Sequence, residues 1–83
     1  MIVHAKLFAT LRRYAANTAT GAHAGTPFEV DLPDGAMIAD LIYYLNLPAE
    51  EVKVAFVNGR ARPEDWRLEP GDQVGIFPPV GGG

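Results

Sequence analysis

Short stretches of alternating apolar and polar residues recur along this chain, and such alternation is typical of β-strands. The first stretch covers residues 1–9, where Val3, Ala5, Leu7 and Ala9 alternate with Ile2, His4, Lys6 and Phe8. Apolar residues occur on both faces of this stretch, and we expect His4 and Lys6 to lie on the more exposed face. A cleaner alternation at residues 28–32 predicts a second strand, whose core-facing residues are Phe28, Val30 and Leu32.

A helical turn and a loop are expected between these two strands. Thr10 is a suitable N-cap for a short turn over residues 11–16, because its hydroxyl can accept a hydrogen bond from a first-turn amide. Residues 17–27 are rich in Ala, Thr and Gly, and Gly21, Gly25 and Pro27 interrupt regular structure there. We therefore predict an antiparallel pair of strands joined by this turn and loop.

A helical pattern follows the second strand. Its apolar stripe, with the spacing of one helix face, consists of Ile38, Leu41, Ile42 and Leu45. Asp40 lies in the first turn, where the helix dipole favours a negative charge. The start near Met37 has no Ser, Thr, Asp or Asn at the capping position, so it is weakly specified unless Asp34 reaches it. Asn46 and Pro48 mark the end of the helix.

Three further strands are predicted, at residues 52–57, 60–62 and 73–77. Asn58-Gly59 joins the first two as a hairpin, because a type I′ turn needs positive φ at both positions. The irregular stretch that follows should turn Leu68 inward. This order of elements predicts an α+β, ubiquitin-like β-grasp domain, in which one main helix packs on one face of a mixed sheet. We place the last strand beside the first.

The composition is that of one small globular domain. The chain has 83 residues, of which 48% are hydrophobic and 20% charged, and it contains no cysteine. The net charge of −3 and the scattered arginines and lysines argue against nucleic-acid binding. His4 and His23 have no ligand-spaced partners, so no metal site is expected. Neither a membrane-spanning stretch nor a signal peptide is recognisable, so we expect a cytoplasmic protein without membrane contact.

The last six residues have a different character from the rest. Two prolines cannot continue a sheet ladder, and they favour an extended spacer. Glycines follow them, so this segment can enter a narrow channel and present a carboxylate to chemistry inside; a frayed or linker-like end is the alternative. We therefore divide the chain into a β-grasp domain, residues 1–77, and a flexible tail, residues 78–83. The tail consists of Pro78, Pro79, Val80, Gly81, Gly82 and Gly83.

Several short motifs occur in a fixed order along the chain. They are Leu32-Pro33-Asp34-Gly35-Ala36, Val57-Asn58-Gly59, Pro70-Gly71-Asp72-Gln73-Val74 and Phe77-Pro78-Pro79-Val80 followed by three glycines. Together they resemble the prokaryotic ubiquitin-like sulfur carriers, which include the small subunit of molybdopterin synthase and the thiazole-biosynthesis carrier. The residues before the glycines resemble the molybdopterin branch most closely. The chain departs from the family at Met37, where Ser or Thr is usual, and at Gly81, where another residue is usual.

The resemblance implies a function for the tail. Gly83 would be adenylated by an ATP-using, ubiquitin-activating-like adenylyltransferase and converted to a thiocarboxylate, and the large subunit of molybdopterin synthase would then take up the sulfur. Residues 78–82 would thread the activating enzyme's channel. Phe77 would help to dock the activating enzyme or the synthase partner, and simple core packing is the alternative role for this residue. The chain would be a carried substrate and not an enzyme, with no bound cofactor. A protein modifier joined to lysines, a carrier for thiazole or another sulfur pathway, and an interaction module with an inert tail stay open.

Overall fold

The computed structural model describes residues 1–17 and 27–79. Its five strands are β1 (Ile2–Leu7), β2 (Phe28–Asp31), β3 (Val54–Val57), β4 (Arg60–Arg62) and β5 (Gln73–Phe77). The α-helix α1 covers Ile38–Tyr44, and two 3-10 helices cover Ala9–Asn17 and Ala49–Glu51. The predicted strands are therefore present, with some differences in their ends. The alternation over residues 1–9 extends beyond β1 at both ends, β2 ends one residue earlier than predicted, and β3 begins two residues later.

The five strands form one mixed sheet in the order β2-β1-β5-β3-β4. β1 and β5 are parallel, whereas the pairs β1–β2, β3–β5 and β3–β4 are antiparallel. The last strand thus lies in the centre of the sheet, next to the first, as expected. This topology confirms the α+β, ubiquitin-like β-grasp prediction.

One face of the sheet and α1 enclose the hydrophobic core. The helix stripe is confirmed, because Ile38, Leu41, Ile42 and Leu45 are all buried. The sheet contributes alternate residues from four strands, namely Val3, Ala5, Leu7, Phe28, Val30, Ala55, Val57, Val74 and Ile76. Leu68 is also buried, as predicted, although it belongs to no strand or helix. The residues between these core positions face the opposite side of the sheet, which α1 does not cover.

The β3–β4 hairpin has the predicted turn. Asn58 and Gly59 have φ values of 52° and 86°, the left-handed conformation that a two-residue type I′ turn requires at both positions. The side chain of Asn58 also contacts the start of β5, since its amide donates to Asp72 Oδ1 at 3.0 Å and its Oδ1 accepts from the Gln73 amide at 3.0 Å. The hairpin is therefore held in place against the central strand.

The predicted role of Thr10 as an N-cap is wrong. The first 3-10 helix begins at Ala9, two residues before the predicted start at Leu11, and the φ of 51° at Ala9 turns the chain sharply after β1. The Leu11 amide donates to the Phe8 carbonyl at 3.0 Å, and the Leu11 side chain is completely buried. Thr10 is exposed and lies inside the helix, not at its N-cap.

The start of α1 is capped by residues other than Asp34. The Met37 amide donates to Asp40 Oδ2 at 2.8 Å, so the carboxylate in the first turn reaches back to the helix start. The Ile38 and Ala39 amides donate to the main-chain carbonyls of Trp66 and Glu64 at 3.0 and 2.9 Å. The irregular segment before Leu68 therefore satisfies amides that a Ser or Thr side chain would otherwise help to satisfy. No helix in residues 1–17 or 27–79 is long and apolar enough to cross a membrane.

Candidate functional site

Three phenylalanines gather on the sheet face opposite α1. Phe8 follows β1, Phe56 lies in β3 and Phe77 is the last residue of β5, and all three are half-buried. We call this cluster the aromatic face. Strand register brings it together, because Phe56 pairs with Gly75 of β5, and the Phe8 amide extends the β1–β5 ladder by donating to the Ile76 carbonyl at 3.1 Å. Phe8 and Phe77 are therefore neighbours.

The three rings contact one another in defined geometries. Phe8 and Phe77 are stacked, with ring centroids 4.0 Å apart and planes inclined by 9°. Phe56 meets Phe77 edge to face, with centroids 5.4 Å apart and an interplanar angle of 72°. Such aromatic pairs stabilise beyond their buried area, by about 0.5–1.5 kcal/mol each. Phe77 is the common member of both pairs and thus the centre of the cluster.

Gly75 makes room for this arrangement. A Cβ atom at this position would lie 3.0 Å from Cε2 of Phe8 and 3.5 Å from Cε1 of Phe77. The first distance is shorter than an ordinary carbon–carbon contact of about 3.5–4.0 Å. The absent side chain allows the two rings to lie over the backbone of the central strand. Glycine is needed here for space and not for a left-handed backbone conformation.

The aromatic face borders a groove of about 510 Å³. Most of its lining is apolar, and its polar side chains come from β1 and the start of β5, namely His4, Lys6 and Gln73. The Lys6 Nζ lies 4.9 Å from the centroid of the Phe8 ring, in a cation–π contact. His4 and Lys6 are half-buried on this face, which agrees with the expectation that they lie on the less buried side of β1.

The tail leaves the sheet directly from the aromatic face. The Phe77 carbonyl accepts a hydrogen bond from the Lys53 amide at 2.8 Å, and Pro78 and Pro79, which follow, have no amide hydrogen to donate. Pro78 is half-buried and Pro79 exposed. Val80, Gly81, Gly82 and Gly83 lie outside the described residues, as does His23, so the predictions for them and for the docking role of Phe77 stay predictions.

Other charged and aromatic groups in the described part have structural roles. In residues 1–17 and 27–79, no group of three or more potential ligands is arranged to hold a metal ion. Trp66 is partly exposed and stacks under the Arg62 guanidinium, whose central carbon lies 4.0 Å from the ring centroid. Hydrogen bonding to Tyr14, together with the nearby carboxylate of Glu51, raises the pKa of Arg13. Arg13 is charged at neutral pH in any case, so this contact joins the two 3-10 helices without titrating.

Sequence reasoning found Phe77 but missed the residues around it. Phe8, Phe56 and Gly75 fall within predicted strands, and the alternation of residue types gives them no further role. The available signal was the occurrence of large apolar residues on the strand face that should be polar. That signal becomes specific only when the strand register shows that Phe8, Phe56 and Phe77 share one surface.

The fold and the position of this surface define a class of protein. This chain is a ubiquitin-like β-grasp domain. It has an aromatic cluster on the sheet face that α1 does not cover, and the strand that ends in Phe77 leads directly into Pro78 and Pro79. The chain belongs to the ThiS family, whose model matches residues 5–83. This membership confirms the resemblance to the prokaryotic ubiquitin-like sulfur carriers.

Solved structures of similar fold include a Pyrococcus furiosus protein assigned as molybdopterin converting factor, subunit 1. It is 32% identical, the match covers 96% of this chain and 99% of that one, and the TM-score is 0.73. H. volcanii small archaeal modifier protein 1 shares the fold, with 21% identity, coverage of 95% and 98%, and a TM-score of 0.70. A complex of subunits 1 and 2 of molybdopterin-converting factor from Helicobacter pylori contains another such fold, with 17% identity, full coverage of both chains and a TM-score of 0.59. No curated protein matched the chain.

Proposed function

We propose that this protein is a sulfur carrier whose Gly83 carboxylate is adenylated and then converted to a thiocarboxylate. The sulfur would be donated in the biosynthesis of molybdopterin. The domain contributes a docking surface and a reactive tail, and the partner enzymes contribute the catalytic groups. ATP is a substrate of the activating enzyme and is not a cofactor of this chain.

The observation that carries the proposal is the position of Phe77. This residue is the centre of the aromatic face and is also the last residue before Pro78 and Pro79. A partner that covers the aromatic face is therefore placed where the tail leaves the domain. Residues 80–83 can extend roughly 13–14 Å beyond the prolines, which is enough to reach into a neighbouring active site. Because Phe77 and the tail are consecutive in the chain, a partner that binds the aromatic face also has the tail beside it.

The chemistry requires two steps. A carboxylate is a poor acyl donor, so an oxygen of Gly83 must first attack the α-phosphorus of ATP, which forms an acyl-adenylate and releases pyrophosphate. A sulfide-equivalent nucleophile then attacks the carbonyl carbon, and the bond between that carbon and the AMP oxygen breaks. AMP leaves with the electron pair, and the product is the thiocarboxylate. Metal and cationic groups on the activating enzyme would stabilise the phosphate charge in the first step.

The proposed partners follow from the relatives. The Pyrococcus furiosus relative is assigned as subunit 1 of molybdopterin converting factor, and the Helicobacter pylori structure is a complex of subunits 1 and 2 of that factor. By analogy, we propose a large synthase subunit as the acceptor of the sulfur. A ubiquitin-activating-like adenylyltransferase is the second proposed partner, because the first chemical step cannot proceed without one.

Mass spectrometry of the protein isolated from its own cells tests the proposal. Replacement of one oxygen of the Gly83 carboxyl group by sulfur is the expected result. Isopeptide bonds between Gly83 and lysines of other proteins would instead identify a modifier, the function named for the H. volcanii protein of similar fold. A carboxyl group that stays unmodified after incubation with the cognate activating enzyme, ATP and a sulfide donor would contradict both functions.

A further inference from the structure

A cation lies inside the mostly apolar surface that the aromatic face and its groove form. Lys6 is half-buried on β1, and its strand neighbour across the β1–β5 ladder is Gly75, over which the Phe8 and Phe77 rings lie. Its ammonium group contacts the Phe8 ring from 4.9 Å. A lysine on a solvated strand needs no explanation, but a lysine among three phenylalanines has consequences for what can bind there.

Lys6 has no ion-pair partner within the described part of the chain. The ion pairs among residues 1–17 and 27–79 join the Met1 amine to Asp31 and Asp34, and Arg13 to Glu51. Glu29 is the nearest carboxylate by register, because it lies opposite His4 on the same face and diagonally across from Lys6. Long side chains can span a diagonal of roughly 7–8 Å. Lys6 and Glu29 nevertheless form no ion pair in the described residues. The Lys6 ammonium group can therefore pair with a carboxylate of another protein.

Docking on the aromatic face removes water from this charge. A partner side chain that covers Phe8 and Phe77 also covers the ammonium group, because that group rests against the Phe8 ring. A buried ammonium group without a counter-charge strongly opposes binding, and a cation–π contact offsets only part of this effect. A carboxylate supplied by the partner would both remove the penalty and exclude partners that lack one.

We propose that Lys6 is a specificity-determining residue of the docking surface, which selects a partner segment that places a carboxylate beside an apolar side chain. The partner is the activating enzyme, so the inference rests on the proposed function. The apolar side chain covers the stacked Phe8 and Phe77 rings, and the carboxylate of an Asp or Glu of the enzyme accepts hydrogen bonds from the Lys6 ammonium group.

Affinity measurements with three substitutions test this assignment. The full-length protein and the activating enzyme of the same organism are mixed in a calorimeter, and a thermal melt is recorded for each variant. Lys6→Glu should weaken binding by roughly tenfold or more, because two carboxylates would then face each other. Lys6→Met should also weaken binding, because the enzyme carboxylate loses its counter-charge while the apolar area is retained. Lys6→Arg should keep most of the affinity.

Arg60→Glu is the matched control for net charge. Arg60 is exposed, and its strand partner is Val57, a core residue, so both lie on the core side of the sheet. Arg60→Glu therefore changes the net charge by the same amount as Lys6→Glu, but on the sheet face opposite the aromatic face. It should leave the affinity within about twofold of the wild type, as expected for an exposed charge away from the contact. An equal loss from Arg60→Glu would show general charge steering and overturn the assignment. Unchanged or tighter binding by Lys6→Met would overturn it as well, since the ammonium group then reaches solvent in the complex.

Carbodiimide cross-linking locates the partner carboxylate directly. This reagent joins an amine to a contacting carboxylate as an amide, and the lysines of the chain are Lys6 and Lys53. A cross-linked peptide that contains Lys6 and an enzyme Asp or Glu is expected, and Lys6→Arg should abolish this product without abolishing binding. A complex that cross-links through Lys53 alone would contradict the proposal. Failure of the wild-type protein to bind the enzyme at all would overturn the proposed function together with this inference. Binding of the wild-type protein without a Lys6 cross-link would overturn this inference alone.

Discussion

Phe8 and Phe77 are stacked at 4.0 Å, although one follows β1 and the other ends β5. The stack lies outside the core, on the face that α1 leaves uncovered. It therefore joins the two central parallel strands at the end of the sheet from which the tail departs. Removal of either ring should change the surface presented to a partner more than it changes the interior.

Replacement of Phe77 by Ala should separate docking from folding. We expect the affinity for the activating enzyme to fall by about tenfold or more, as for a central aromatic contact residue. The free energy of unfolding should fall by only roughly 1–3 kcal/mol, the value of the two lost aromatic pairs. Calorimetric titration and a thermal melt of the same variant measure the two effects. A large loss of stability with unchanged affinity per folded molecule would assign Phe77 to the core instead.

Tyr43→Ala is the matched control for that substitution. Tyr43 is an aromatic residue of α1 whose side chain is 85% exposed, on the opposite side of the domain from the aromatic face. Both the affinity and the stability of this variant should stay close to wild type, because surface substitutions usually change stability by less than about 0.5 kcal/mol.

Gly75→Ala should disturb the aromatic face without unfolding the domain. The new methyl group would lie 3.0 Å from Phe8, so the Phe8 ring must move and the stack with Phe77 must open. We expect the ring-current shifts of the Phe8 and Phe77 protons to change in NMR spectra, while stability changes by about 1 kcal/mol or less.

Gly59→Ala is the matched control, because it should lower stability without changing the NMR shifts of the phenylalanines. Nothing lies within 4 Å of a Cβ at that position, but the φ of 86° is unfavourable for alanine. This variant should lose roughly 1 kcal/mol of stability and keep the native phenylalanine shifts. Unaltered phenylalanine shifts in Gly75→Ala would refute the claim that the absent side chain permits the stack.

The core prediction concerns Leu41, which is completely buried in α1. Leu41→Ala should reduce the free energy of unfolding by roughly 2–5 kcal/mol, because a cavity would form where the helix covers the sheet. Denaturant unfolding measures this loss, and Ile42→Ala should behave similarly. Near-neutral results for both variants would mean that the apolar stripe of α1 does not hold the core together.

The tail should tolerate change structurally but not functionally. One residue added after Gly83 displaces the reactive carboxylate by roughly 3.3–3.6 Å, and Gly82→Val introduces a branched side chain into a narrow channel. We propose that the tail is not part of the packed domain, so both variants should melt like the wild type, and both should lose ATP–pyrophosphate exchange with the activating enzyme. Gly81→Ala should be milder, since the resembled family has a non-glycine residue there. Wild-type exchange by the first two variants would argue against any function that activates Gly83.

Local patterns were sufficient for most of the fold. Alternation located the strands, the spacing of Ile38, Leu41 and Ile42 located the helix, and Asn58-Gly59 located the hairpin. The errors occurred where distant segments decide the outcome. The capping of α1 by the carbonyls of Glu64 and Trp66 cannot be read from residues near Met37, because those amides are satisfied by a segment far along the chain.

The candidate site was predicted less completely, for the same reason. The aromatic face exists because the register of β3 against β5 and of β1 against β5 brings Phe8, Phe56 and Gly75 around Phe77. Periodicity identifies which residues share a strand face, but it contains no information on which strands are neighbours. The position of Phe77 before the prolines was visible in the sequence, and its neighbours were not.

The central position of β5 has a consequence for biosynthesis of the protein. Ribosomes add residues from the N-terminus, so β5 is made after the other four strands, yet β1 and β3 can be joined into one sheet only through it. A nascent chain that lacks β5 has neither a closed core nor the residues that follow it. Parallel pairing between strands so distant in sequence also slows folding. A partner that binds the residues after β5 therefore meets them only on chains that have been translated through β5.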